Sequence, residues 1–513
     1  MTSLMRAARL LACLCFCLAL FGQGLTSISG TVADPSGALV PGATVTIVNN
    51  ATGAKRSDAT DSSGRYNFQQ IQPGTYRVTA AAAGFNDAVI EAVQLLVNTP
   101  ANIQIVFSKI GSVSETVAVT ADSVQVNTTD ASIGNAIGTQ PITQLPFEAR
   151  NVVGLLSLQP GVLYLGEPDP GAVNDYRSGA VNGGKSDQAN VMLDGVDVND
   201  QQNRSAFTSV LRVTLDSVQE FRTITTNAGA DFGRTSGAQV TLVTKSGTNL
   251  VHGSMYEYLR NKATSANTFF NNLAGVPRQK LNRNVFGASV GGPIKKNRLF
   301  YFLNYEGRQD KSETGGLRIV PNDTFRQGIF SYIKSNGGVG QYTPADIKRL
   351  DPAGIGVNPA VLTLFQSYPH PNDNTVGDGL NTAGFRYNAA TPLRFNTYIA
   401  KFDWQVDTNG KHQIFWRGNL QNDNYANGIP QFPGDPASSV YLENSKGYAI
   451  GYTALVRSNL VSTFRFGYTR QGAQSTGIQQ GPVATFRDID SRYATTKGLT
   501  RIIPVTQFSE DVA

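Results

Sequence analysis

The chain has 513 residues, 43 of them basic and 37 acidic, for a net charge of +6; that length argues for more than one core, and that bias is too weak to argue for a nucleic-acid partner. Gly is abundant at 52 residues, and no apolar run reaches the roughly 20 residues that a membrane-spanning helix needs. No membrane-spanning helix is predicted, and the composition suggests a β-rich chain of about two to four units.

Residues 1–24 place Arg6 and Arg9 before an apolar run from Leu10 to Phe21 and then Gly22-Gln23-Gly24, the charge, core and small-residue cleavage pattern of a secretory signal peptide. Leu10-Leu11-Ala12-Cys13 resembles a lipoprotein cleavage box only superficially, since a cut there leaves almost no apolar segment before it. Cys13, Cys15 and Cys17 all fall in this leader, so the exported chain is expected to carry no cysteine and to rely on sheet pairing and burial.

Residues 26–108 alternate apolar and polar positions between turn signals: Ser29-Gly30-Thr31-Val32, the turn Asp34-Pro35-Ser36-Gly37, then Val40-Pro41-Gly42-Ala43-Thr44-Val45, and later Thr60-Asp61-Ser62-Ser63-Gly64-Arg65-Tyr66. Short strands with turns about every ten residues predict a β-sandwich, with Tyr66, Phe68, Tyr76 and Val78 facing inward. The stretch resembles the carboxypeptidase regulatory-like domain, a transthyretin-like sandwich that carries no catalytic residues in its family. The three histidines, His252, His370 and His412, have no metal-ligand spacing, so neither a metal nor a protease site is expected.

Residues 109–129 are polar apart from one β-prone run, Glu115-Thr116-Val117-Ala118-Val119-Thr120-Ala121; such a run is a plain linker, the last strand of the sandwich, or a strand donated to a partner. In residues 130–248, Val152, Leu155, Leu156 and Leu158 fall near helical spacing before Pro160-Gly161, which predicts a helix. Three Val- and Leu-rich runs follow, around Val191-Met192-Leu193-Asp194-Gly195-Val196, Val218-Gln219-Glu220-Phe221-Arg222, and Ser236-Gly237-Ala238-Gln239-Val240-Thr241-Leu242-Val243-Thr244-Lys245-Ser246-Gly247. They read as strands of a small α/β unit, in which Gly233, Gly237 and Gly247 are expected to take positive φ and let backbone pass close to backbone.

In order and wording the three runs resemble the plug domain of TonB-dependent outer-membrane receptors. The resemblance implies that Glu115 to Ala121 is the TonB box, pairing edge to edge with the periplasmic TonB protein, and that Asp194, Gly195, Glu220, Arg222, Gly237 and Lys245 belong to the gate. Asp194 and Lys245 read equally well as turn and surface residues.

Residues 249–513 change texture. Tyr398, Ala400, Phe402, Trp404 and Val406 share one face while Thr397, Lys401, Asp403, Gln405 and Asp407 share the other, with Ile399 the exception; Phe464, Phe466 and Tyr468 repeat the pattern against Thr463, Arg465, Gly467 and Thr469. A membrane β-barrel needs this two-residue period, because lipid touches one face and water the other. Strands are expected near 251–260, 284–292, 298–308, 394–407, 412–421, 446–457 and 460–471, with short turns at Pro293 to Asn297, Thr408 to Lys411 and Ser458-Asn459. The longest connection, Gln309 to Leu393, would face outside. Seven strands cannot close around a plug, which takes about 22, and no further aromatic strand is expected before Asp511-Val512-Ala513. An N-terminal part of a longer barrel is therefore expected, and the combination resembles the Oar-like branch of the receptors.

The expected function is a bacterial outer-membrane receptor that takes up or exports an extracellular ligand with energy from the inner membrane. It would use no cofactor and no enzyme chemistry. The alternative is a surface or adhesion protein that uses the plugged barrel as an anchor in outer-membrane lipid.

Overall fold

The computed structural model describes residues 24–108, 132–145, 150, 152–164, 179–184, 188–200, 209–229, 232, 237–267, 269, 272, 277–407, 410–457, 460–482 and 484–513. The leader up to residue 23, the run Glu115 to Ala121, Gly233, Ser236, Thr408, Asn409, Ser458 and Asn459 lie outside the described residues.

The first module comprises β1 (Thr26–Ala33), β2 (Thr44–Asn49), β3 (Lys55–Ala59), β4 (Arg65–Ile71), β5 (Gly74–Ala81), β6 (Ala88–Leu95), β7 (Ala101–Asn102) and β8 (Ile105–Val106). One sheet pairs β1 with β4 on one side and with β7 and then β8 on the other; the second runs β3-β2-β5-β6. Tyr66, Phe68, Tyr76 and Val78 are all buried in the core between them, as the alternation predicts. The acidic turn residues act as local acceptors: Asp34 takes the Ser36 amide at 2.8 Å, and Asp61 takes the Ser63 amide at 2.8 Å, which is why an Asp opens each turn.

The second unit holds β9 (Ile133–Gly138), α1 (Thr139–Gln144), β10 (Val162–Tyr164), β11 (Gly179–Val181), β12 (Asn190–Leu193), β13 (Val196–Asp197), β14 (Val218–Thr226) and β15 (Gln239–Thr244). Five of these strands form one sheet in the order β13-β12-β15-β14-β9, with β12 and β15 parallel and the other pairs antiparallel. The helix expected over Val152 to Leu158 is a 3-10 segment, Val152–Leu158, and the short α1 precedes it. Val152, Leu155 and Leu156 are buried, whereas Leu158 is exposed. Gly237 and Gly247 also depart from expectation. Neither takes positive φ; a Cβ on Gly237 would sit 2.4 Å from the Gln188 carbonyl oxygen, and one on Gly247 would sit 2.3 Å from that of Tyr301. Close approach alone requires glycine at both.

The remainder forms one large antiparallel sheet. In chain order come β16 (His252–Asn261), β17 (Leu281–Lys295), β18 (Leu299–Pro321), β19 (Phe330–Ile333), β20 (Val339–Tyr342), α2 (Pro344–Leu350), α3 (Pro359–Gln366), β21 (Thr382–Ala390), β22 (Leu393–Gln405), β23 (His412–Gly428), β24 (Ser439–Glu443), β25 (Lys446–Arg457), β26 (Leu460–Ser475), β27 (Ile478–Gln479), β28 (Thr495–Thr496) and β29 (Leu499–Val512). The sheet has ten of these strands. β24 and β25 lie end to end between β23 and β26, and β21 pairs only with the far half of β18.

All seven expected strands are present, and β21, β24 and β29 are three more of this sheet that the sequence reading missed. Pro504 breaks the donor pattern of β29, yet this strand pairs on one side with β26 through residues 499–512, and proline is tolerated on such an edge strand. β16 and β29 are not paired with each other, so the sheet is open. The connection expected over Gln309 to Leu393 is shorter, because β18 continues to Pro321 and β21 returns along it; residues 322–381 between them fold into β19, β20, α2 and α3.

The two faces of the wall behave as lipid and lumen faces should. Tyr398, Trp404 and Trp416 are exposed on one; Thr397, Lys401, Arg417, Thr463 and Arg465 are buried on the other. Ile399, the one apolar residue on the wet face, is buried within the plug's own core cluster.

Candidate functional site

The turn Leu193-Asp194-Gly195-Val196 joins β12 to β13 with φ of +50° at Asp194 and +79° at Gly195. A two-residue hairpin with both central residues left-handed favours Asp-Gly. This conformation turns the Asp194 carboxylate toward β15, where it accepts the Thr244 amide at 3.0 Å and the Thr244 hydroxyl at 2.8 Å. On its other side stand two cations of the wall, Lys401 Nζ at 3.5 Å and Arg417 Nε at 3.2 Å.

Lys401 and Arg417 are directly opposite each other across β22 and β23. Like charges in that register repel, and here both are buried, Arg417 completely. Asp194 sits between them and offsets the repulsion. Burial by itself would push its carboxyl up, but Lys401, Arg417 and the Thr244 hydrogen bonds hold it below the usual carboxylate range. The cations also reach plug backbone, Lys401 Nζ donating to the Thr244 carbonyl at 3.0 Å and Arg417 Nη2 to that of Leu193 at 3.3 Å.

Two more arginines of the plug extend this seam. Arg150 lies 2.6 Å from Asp216 within the plug and 3.2 Å from Glu306 of β18, with its guanidinium over Tyr256 at 4.6 Å and Tyr258 at 4.4 Å. Arg212 meets Asp423 of β23 at 2.8 Å and lies over Phe395 at 4.1 Å. Rings and carboxylates together satisfy both the face and the edge of a guanidinium. At Gly467 on β26, a Cβ would sit against Val196 of the plug, so glycine there permits close seating.

Of the residues expected to form a gate, Asp194 and Gly195 lie on this seam. Glu220 and Arg222 do not: they face the N-terminal sandwich, Glu220 accepting the Val97 amide at 2.7 Å and Arg222 Nη1 donating to the Val97 carbonyl at 3.0 Å. Gly237 lies against Gln188, and the Lys245 amide donates to Ser217 at 2.8 Å; burial holds the Lys245 ammonium below its usual range, with Asp216 pulling the other way. The reading from sequence missed Lys401, Arg417, Arg150 and Arg212 as contact residues. For Lys401 and Arg417 the signal was present, since alternation puts both on the lumen face.

At the far end of the wall three connections are tied together. Phe365, Tyr368, Val320 and Phe432 form a buried cluster with Phe325, Phe385, Phe486 and Ile489 around it. The Tyr368 hydroxyl donates to the Asp490 carbonyl at 2.9 Å, and Arg492 bridges to Asp435 at 3.1 Å. A separate cavity of about 1030 Å³ lies along exposed Met255, Leu303, Tyr398, Trp416 and Leu420; these are bilayer-facing side chains, and no ligand role follows from it. Among the described residues no cluster of three or more His, Cys, Asp or Glu could hold a metal ion.

The family model for an outer membrane beta barrel domain matches residues 243–510, and that for a carboxypeptidase regulatory-like domain matches residues 27–108. A curated relative, the TonB-dependent transporter Oar of Myxococcus xanthus, is 27% identical over 300 residues, covering 56% of this chain and 27% of that one. Similar solved structures include the siderophore receptor PirA from Acinetobacter baumannii, at 14% identity and a TM-score of 0.41 over 73% of this chain and 44% of that one. Another is the outer membrane transporter YddB from Escherichia coli, at 11% and 0.46 over 74% and 45%. The chain thus spans about a quarter of the curated relative and under half of these structures. Its match over more than half its length, on a wall with one greasy and one wet face, shows that this chain belongs to the outer membrane β-barrel domain family and resides in the bacterial outer membrane.

Proposed function

We propose that the protein is a TonB-dependent outer-membrane receptor that binds a ligand at the long-loop end and passes it across when the plug is pulled from the periplasmic side. The observation that carries this reading is the seat of Asp194 between Lys401 and Arg417. Where plug and wall meet through ion pairs, charges that part in a wet lumen regain hydration that burial had removed, and the shared apolar contact at Ile399 is small beside them. The similarity to the Myxococcus xanthus transporter supports the same reading.

In this reading Glu115 to Ala121 is the strand offered to TonB, joined to the plug through β9, which among the described residues pairs with β14 alone. Asp194, Gly195 and Lys245 belong to the part of the plug that shifts, and Glu220 and Arg222 to its link with the sandwich. Deleting Glu115 to Ala121 tests it. Uptake across a panel of iron chelates, cobalamin, glycans and peptides is expected to fall to background while surface display stays normal. Unchanged uptake would remove TonB from the account and favour the second reading, a surface anchor, for which the ready-folded cluster around Phe365 and Phe432 is the supporting observation.

A further inference from the structure

The sandwich touches the plug and the wall at once. On the plug it engages β14 through Val97, and Thr99 accepts a hydrogen bond from Arg222 Nη1 at 2.5 Å. Asn98 Nδ2 donates to Thr241 Oγ1 of β15 at 3.3 Å. On the wall it engages the short-turn end, where the Asn249 amide donates to the Ala51 carbonyl at 3.0 Å and the Thr463 hydroxyl hydrogen-bonds Gln70.

The backbone marks both ends of this span. Among the described residues of the sandwich, the non-glycine positions with positive φ are Gln70 at +53° and Asn98 at +49°. Left-handed backbone is costly for a residue such as Gln, about 1 kcal/mol or more, and persists where surrounding contacts hold it. Gln70 presents its side chain to the wall and Asn98 presents its own to the plug, with the rigid sandwich core between.

We propose that the sandwich is a brace that ties the plug to the barrel rim and keeps it seated until the brace is released. The proposal deepens the transport reading, on which it rests for the plug's movement, but its mechanics need neither ligand nor TonB. Force applied to residues 109–131, which connect the sandwich to β9, loads the brace and the plug edge together. The plug can then leave the wall only after the contacts at Val97 to Thr99 or those at Ala51 and Gln70 have parted.

A brace acts in series, and this separates it from a set of independent stabilising contacts. The measurement is the urea concentration at which the full-length protein, in a planar bilayer, opens to ion conductance. Gln70→Gly removes the side-chain contact at the rim, leaving the backbone bond at Ala51, while relieving the left-handed strain, so the sandwich itself keeps its fold. Thr99→Val removes one of the two acceptors of Arg222 at the plug end with little change of volume. Each is expected to open at a lower urea concentration, and the double variant no earlier than the weaker single. The pair Asn98→Cys/Thr241→Cys, with disulfide formation verified by mass, is expected to raise the threshold, and a reductant to return it. Opening of Gln70→Gly at the wild-type concentration, additive single effects, or a crosslink without influence would each overturn the brace. Failure of the box deletion to affect uptake would leave these outcomes unchanged, so the two proposals fail separately.

Discussion

The seam around Asp194 and the cluster around Phe365 both join segments far apart in the sequence, but they do so by opposite means. At the seam, carboxylates and cations meet in a buried layer between plug and wall: Asp194 with Lys401 and Arg417, Arg150 with Glu306, and Arg212 with Asp423. At the long-loop end the joint is aromatic, with Phe365 5.0 Å from Phe325 and 4.9 Å from Phe486 between ring centroids. Apolar burial resists parting in water, whereas a buried ion pair often adds little net stability over an apolar replacement. The loops are therefore joined by apolar burial and the plug is joined to the wall largely by charge.

The largest effect is expected where that contrast is sharpest. Asp194→Ala leaves Lys401 and Arg417 buried opposite each other with no carboxylate between them, a loss on the order of 3–5 kcal/mol. Hydrogen exchange at β12 and β15 in the full-length protein should report it, while Asp194→Ala combined with Arg417→Met should recover a large part. If Asp194→Ala alone left exchange at these strands unchanged, the seam would owe its hold to shape and not to charge.

Phe365→Ala tests the other side of the comparison. Truncating a phenylalanine in that cluster is expected to cost about 3 kcal/mol, confined to the loops. Protease added outside the cell should then cut within residues 322–381, and exchange at β12 and β15 should not change. Loosening of the plug by this substitution would mean that the two regions are one cooperative unit.

What the sequence made legible follows the same division. Periodicity of two revealed the strands and the wet and greasy faces, because one water-facing and one lipid-facing side impose it residue by residue. Ile399 stood out against that pattern, and the structure supplies its cause, a plug core covering that spot on the wet face. Asp194 was legible as half of an Asp-Gly turn, but its partners were not. Lys401 lies 207 positions away by residue number, and only the register of β22 against β23 sets it opposite Arg417. The loop cluster was illegible for a related reason: Phe365, Phe432 and Phe486 come from separate connections and Val320 from the end of β18, without any shared period. β29 escaped because a proline interrupts it, and register on an edge depends on a neighbour and not on local pattern.

The joint between sandwich and plug stands between the two extremes, since it places a carboxyl inside without a full counter-charge. Burial pushes Glu220 up to about 7, and the Val97 amide and Arg222 only partly oppose this. The other ionisable group bearing on it is the Tyr76 hydroxyl, itself pushed up to about 12 by burial. The folded carboxyl thus keeps its proton over a window, from 4.5 to about 7, in which the unfolded one has lost it. The folded state then binds more protons than the unfolded state, so stability falls as pH rises through that window. A fall of about 1–3 kcal/mol in the urea stability of this joint is expected between pH 5 and 8, and Glu220→Gln should flatten the slope. A joint that grew firmer with rising pH would mean that Arg222 outweighs burial, and would move this contact to the charge-held side of the comparison, beside Asp194.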